Sequence, residues 1–187
     1  MKKYWDKVEV GHALTPLHKR PISRLHLAQF AAASDEFSPL NLDDEYAKSA
    51  GFGSVFVPSL IALGLAEDAL QAFANNINLV SLSGTFQRMI WPNDTLTAKG
   101  VVLRHYKYHE EYRLQFSVWV ENQNNEIVMK GQAVMTLFKN AEEEMREKLV
   151  VPAISKASHD ALIEKCEKIT NLAPAVAPRN LAPRELA

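Results

Sequence analysis

The side chains able to move protons or hold a metal are few in this sequence of 187 residues, and their spacing excludes several chemistries. Histidines stand at positions 12, 18, 26, 105, 109 and 159, and none clusters with carboxylates as a metal site requires. His105 and His109 have the i, i+4 spacing of a helical metal pair. Tyr106, Tyr108 and Glu110-Glu111 around them predict instead a turn between strands, with both rings at the surface. The single cysteine, Cys166, excludes an intramolecular disulfide and a cysteine-rich metal site, and predicts a reducing compartment, the cytoplasm. Seven glycines form no phosphate-cradling loop, and no Gly-x-Ser-x-Gly elbow or Ser/His/Asp arrangement marks a nucleophilic hydrolase. No metal or cofactor is expected.

Charge and composition narrow the partners. Lys plus Arg number 21 against 22 Asp plus Glu, a net of -1, which leaves no field to hold nucleic acid or an anionic bilayer. An apolar share of 47% with 23% charged residues is that of an ordinary folded protein. Met1 to Lys7 carries the positive charge of a signal peptide, but Asp6, Lys7 and Glu9 stand where an apolar run is needed, so no export signal is expected. Val55 to Leu65 is the most apolar stretch. It has about half the roughly 20 residues of a membrane span and ends at Glu67 and Asp68, so it reads as a buried core helix.

Apolar spacing is helical to about residue 76 and alternating from 79 to 138. Pro21 and Ser23 open a helix carrying Leu27, Phe30, Ala31 and Ser34, which Pro39 terminates. Asp43 caps a second helix, Asp44 to Ala50, closed by Gly51. After Pro58, Leu60, Leu63, Leu65, Ala66, Leu70, Phe73 and Ala74 cover more than one face of a longer helix, which is expected to be largely enclosed. Strands follow: one with Val80, Leu82, Gly84 and Phe86 on one face, Thr95 to Arg104 after the Pro92-Asn93-Asp94 turn, one alternating Leu114, Phe116, Val118 and Val120, and Ile127 to Phe138. An α+β fold follows, an antiparallel sheet wrapped around a central helix. Residues 1–139 form this domain. A charged linker and helix with a Leu162, Cys166, Ile169 stripe occupy 140–173, and a flexible Pro/Ala-rich tail 174–187.

Phe30-Ala31-Ala32-Ala33-Ser34-Asp35-Glu36-Phe37-Ser38-Pro39-Leu40-Asn41 resembles the Ser-Gly-Asp-x-Asn-Pro-Ile/Leu-His motif of MaoC-like acyl dehydratases, the R-specific enoyl-CoA hydratases. The likeness continues through Asp43 to Phe52, in Trp91-Pro92-Asn93-Asp94-Thr95-Leu96-Thr97 and in Val118 to Gln123, covering roughly residues 8 to 138. It implies a hot-dog fold. Aligned on Pro39, Glu36 takes the place of the family's catalytic Asp, Ser38 that of its Asn, and Asn41 that of its catalytic His, while Asp35 replaces the motif's Gly and leaves the register of Asp35 and Glu36 open. Asn41 can hold a water but cannot exchange its proton near neutral pH. Val57-Pro58-Ser59-Leu60 stands where the family reads Ala-His-Gly-Met, so the resemblance implies that the Ser59 N–H, beside Pro58, faces the thioester oxygen; the same pair also reads simply as good helix initiation.

Two functions follow from the resemblance. One is an acyl-thioester binding protein, weakly catalytic or non-catalytic alone, partnering a related hydratase subunit in a heterodimer or pairing as a homodimer. The other is an active hydratase/dehydratase, isomerase or thioesterase using Glu36. The ligand is acyl-CoA or an acyl-carrier thioester, and Arg88, Lys99, Arg104 and Lys107 are candidates to meet CoA phosphates or plain solubilising charge.

Overall fold

The change of period after Asn75-Asn76 marks a change of layer. A computed structural model describes residues 1–148. After a 3-10 turn at Trp5–Lys7, the elements are β1 (Leu17–Lys19), α1 (Arg24–Ser34), α2 (Pro39–Leu42), α3 (Asp44–Ser49), α4 (Leu60–Phe73), β2 (Ile77–Phe86), β3 (Leu96–Tyr108), β4 (Glu111–Glu121) and β5 (Ile127–Leu137). The strands form one antiparallel sheet in the order β1-β3-β4-β5-β2, with the helical layer packed on it: the α+β hot-dog architecture.

Alternation sets the core. Leu96, Ala98 and Val102 of β3, Leu114, Phe116, Val118 and Val120 of β4, and Ala133, Met135 and Leu137 of β5 are buried on one side of the sheet. Ala62, Leu65, Ala66, Ala69, Leu70 and Phe73 of α4 lie over them, with the Phe73 and Phe116 rings edge to face at 5.4 Å. Each large side chain enclosed there contributes about 1.5–3 kcal/mol by leaving water. The enclosure of α4 is one-sided, against expectation: Leu60 is 56% exposed, and Glu67, Asp68 and Gln71 form a solvated face. Those buried positions form a single i, i+3, i+4, i+7 stripe, which the sheet covers completely without reaching round the helix.

Val57 also departs from expectation, since Val55–Val57 lies outside any helix and Val57 bridges to Ile90, so the core helix begins only at Leu60. Val80 leaves the expected face. A bulge between Leu79 and Ser81 inserts it into β2, and the alternation resumes with Leu82 opposite Ala133. Two glycines are required by close approach: a Cβ on Gly100 would stand 2.7 Å from the Leu14 side chain, and one on Gly131 would strike the backbone carbonyl of Ser83.

Among the described residues no helix is long and apolar enough to cross a membrane. The chain divides into two compact units, Met1–Ala141 and Glu142–Ala187. In the second, residues 142–148 are helical and Lys148 Nζ donates to Glu144 Oε1 at 2.7 Å. The Leu162, Cys166, Ile169 stripe and the 174–187 tail lie outside the described residues.

Gly131 and Gly64 predict opposite outcomes for one change. Gly131→Ala forces β2 from β5 and lowers stability by about 1–3 kcal/mol. Gly64→Ala, in an exposed helical position with nothing within 4 Å of the new Cβ, raises it by about 0.5–1 kcal/mol. Urea titrations of both variants check the pair, and equal effects would contradict the packing described.

Candidate functional site

The segment between α3 and α4 is shaped by side chains on either side of it. Asp43 caps α3 as expected, its Oδ1 accepting from the Glu45 N–H at 2.9 Å and the Tyr46 N–H at 3.2 Å, and Gly51 leaves the helix with φ +93. Asp44, the next residue, reaches back over the loop. Its carboxylate accepts from the Arg24 guanidinium at 2.6 Å, the Ser54 hydroxyl at 2.9 Å and the Val55 N–H at 3.1 Å. The Arg24 hydrogen bond, followed by those from Val55 and Ser54, holds the Asp44 pKa well below the usual aspartate value.

Asn41 completes the loop from beneath. The residue is 9% exposed, and its Nδ2 donates to the Phe56 carbonyl at 2.7 Å. The Val57 N–H donates to the Ile90 carbonyl at 2.8 Å, so the chain enters α4 fixed on both sides. Pro58 and Ser59 form the first turn, with the Ile61 N–H on the Pro58 carbonyl and the Ala62 N–H on the Ser59 carbonyl, both at 3.0 Å. The Ser59 N–H has no acceptor among the described residues and lies at the positive end of the 14-residue α4. Beside it is an open cleft of about 270 Å³ lined by Phe56, Val57, Ser59, Phe86, Gln87, Arg88 and Met89.

The structure thus gathers some of the expected residues and not others. Ser59 lines the cleft, and Asn41 stands one hydrogen bond behind it through Phe56. Glu36 and Ser38 are absent from the lining. Glu36 is exposed, and its carboxylate has no partner among the described residues. Asp35 holds a left-handed conformation, φ 55 and ψ 31, which suits glycine best and which Asp tolerates, and it ends α1 there. Ser38 precedes α2, its carbonyl accepting from the Asn41 N–H at 3.0 Å.

The four expected cations separate as well. Arg88 lines the cleft and lies 3.5 Å from Glu126. Lys99 is held by Glu121 at 2.5 Å, beside the Trp119 Nε1–H bond to the same carboxylate, and this lysine contact leads the lowering of the Glu121 pKa. Arg104 donates to Gln115 at 2.7 Å, and Lys107 pairs with Glu110 at 3.0 Å. His105 is in β3, stacked on Trp5, and His109 is in the β3–β4 turn with φ 51, so the pair shares no helix. Among the described residues no three possible metal ligands converge. Sequence reasoning missed Phe56, Phe86, Gln87 and Met89, because strand ends and loops meet at the cleft from distant parts of the chain.

Residues 7–124 match the family described as MaoC like domain. The chain belongs to that family. Among solved structures, this MaoC-like chain resembles the (R)-hydratase from A. caviae involved in PHA biosynthesis, with TM-score 0.63, 24% identity, and 70% of this chain and 98% of the other covered. It also resembles the R-hydratase PhaJ1 from Pseudomonas aeruginosa, with TM-score 0.66, 22% identity, and 73% and 86% covered. The ChsH1-ChsH2 complex from Mycobacterium tuberculosis matches with TM-score 0.61, 18% identity, and 70% and 98% covered. No curated protein sequence matches the chain significantly.

Two clamps of the MaoC-like loop give separate predictions. Asn41→Ala leaves the Phe56 carbonyl unpaired and costs about 1–3 kcal/mol in chemical denaturation. For Asp44, whose native pKa is lowered, the carboxylate's contribution is fully present above the ordinary value of about 4 and is lost as pH falls below it. Thermal melts at neutral and acid pH are therefore expected to show a shallower acid loss for Asp44→Asn than for the parent, and parallel slopes would refute the clamp.

Proposed function

We propose that this chain binds acyl thioesters, is weakly catalytic or non-catalytic alone, and works paired with an identical or related hot-dog subunit. The observation that carries this reading is Asn41: an amide, 9% exposed and bonded to the Phe56 carbonyl, where the motif places a histidine. An amide orients its neighbours without taking or giving a proton near neutral pH, and losing one acid/base group typically removes about 10²–10⁴ of rate.

Binding is supported by the cleft. Phe56, Phe86 and Met89 offer apolar surface to an acyl chain, the Ser59 N–H offers a donor to a thioester oxygen, and Arg88 offers a cation to a phosphate-bearing carrier. Pairing is supported by β2. This edge strand of ten residues, Ile77–Phe86, carries neither charge nor proline, and Val80 and Phe86 are 46% and 42% exposed, so little protects the edge from a second strand. Solved relatives described as the ChsH1-ChsH2 and HadBC complexes give the heteromeric form a precedent in this fold.

The test is hydration of crotonyl-CoA by the purified chain, with binding followed by calorimetry. Binding with turnover reduced by about 10²–10⁴ relative to an intact dyad is expected. Installing Glu36→Asp, Ser38→Asn and Asn41→His together is expected to raise turnover. Robust turnover by the parent, abolished by Glu36→Gln without loss of binding, would replace this reading with that of an enzyme using Glu36. A monodisperse monomer in light scattering would remove the paired arrangement.

A further inference from the structure

Away from the cleft, the end of α4 brings a lysine and a histidine together. Lys3 is fixed by its backbone: its N–H donates to Asn76 Oδ1 at 3.1 Å, and its carbonyl accepts from Asn76 Nδ2 at 2.8 Å. His12 is fixed from the other side. The Gly11 N–H donates to the Val102 carbonyl at 2.8 Å, and the Val102 N–H donates to the His12 carbonyl at 3.0 Å. Between these anchors Lys3 Nζ lies 3.1 Å from His12 Nε2 and 3.9 Å above the centre of the Phe73 ring, which is itself 6% exposed.

We infer that Lys3 and His12 form an acyl-accepting pair, a modification site at which an activated acyl compound, a thioester above all, transfers its acyl group to Lys3. An amine and a base within hydrogen-bond reach, each on a pinned backbone, are the elements of an activated nucleophile. The Phe73 face attracts the ammonium form, while partial burial pushes the amine below the usual lysine pKa and enlarges the fraction able to react. In the step, the neutral Lys3 nitrogen attacks the thioester carbonyl carbon and the new C–N bond forms. His12 Nε2 removes the proton from that nitrogen, the C–S bond breaks, and the departing thiolate takes a proton to leave as thiol. The products are an N-acyl-lysine and a free thiol, with no oxidant or reductant required.

This site is independent of the acyl cleft, so its test uses a small thioester with no nucleotide to bind there. The full chain is incubated with S-acetyl-N-acetylcysteamine at mildly alkaline pH, and the rate at each lysine is followed by mass spectrometry. Lys130, exposed on β5, is the internal reference. Lys3 is expected to react several-fold faster than Lys130, and His12→Gln, at an exposed position, is expected to bring Lys3 to the Lys130 rate with an unchanged melting temperature. Equal rates in the parent chain, or a Lys3 advantage that survives His12→Gln, would overturn the inference.

Discussion

A carbonyl with no partner in its own segment, that of Phe56, is the constraint around which the site end of this protein is organised. Residues 51–58 form neither helix nor strand, so their backbone groups must find partners elsewhere. Asn41 supplies a donor to that carbonyl, Asp44 an acceptor for Val55, and Ile90 an acceptor for Val57. These three bonds come from α2, from the start of α3 and from the segment before β3, and together they aim the first turn of α4 at the cleft. Removing any one leaves a polar group to be satisfied by water at the place where an apolar wall is needed.

That dependence explains why α2 exists although it has only four residues. Asp35, in its left-handed conformation, ends α1, and Pro39, with its fixed φ at the first helical position, begins the new helix four residues later. The short helix carries little stability of its own and serves to turn Asn41 inward beneath the loop. Below it the sheet is indifferent to this detail. Its core is set by alternating residues of β3, β4 and β5 against one stripe of α4, and the row Gly84, Gly131, Val118, Gly100 keeps the inner face low where Leu63 and Leu14 approach.

Much of the frame was legible because it is written in local periods. Ser23 and Asp43 were readable as caps, Gly51 as a helix exit and Leu114 to Val120 as a half-buried strand, since each follows from one residue type at one spacing. Ser23 does its work with His26 in the position a Glu or Gln would take, His26 Nδ1 accepting the Ser23 N–H at 3.0 Å. The bulge at Val80 and the open face of α4 were not legible, because they depend on where the sheet stops. The resemblance singled out Asn41 and Ser59, of which Ser59 lines the cleft and Asn41 bonds to the carbonyl of its neighbour Phe56, but Phe86 to Met89 reach the cleft through the β2–β5 pairing, a contact between strands more than forty residues apart.

Position 41 also separates two roles that a histidine would merge. The loop needs a donor directed at the Phe56 carbonyl, and an amide and an imidazole N–H can both provide one. Proton transfer needs in addition a group whose charge changes near neutral pH, which only the imidazole offers. An Asn at this position therefore holds the Phe56 carbonyl, and with it the approach to α4, through a group that does not titrate. At residue 41 the loop is anchored through a hydrogen bond rather than through a charge, so the first turn of α4 is held there without a titrating group, while the charged anchor of the same loop is Asp44 on Arg24.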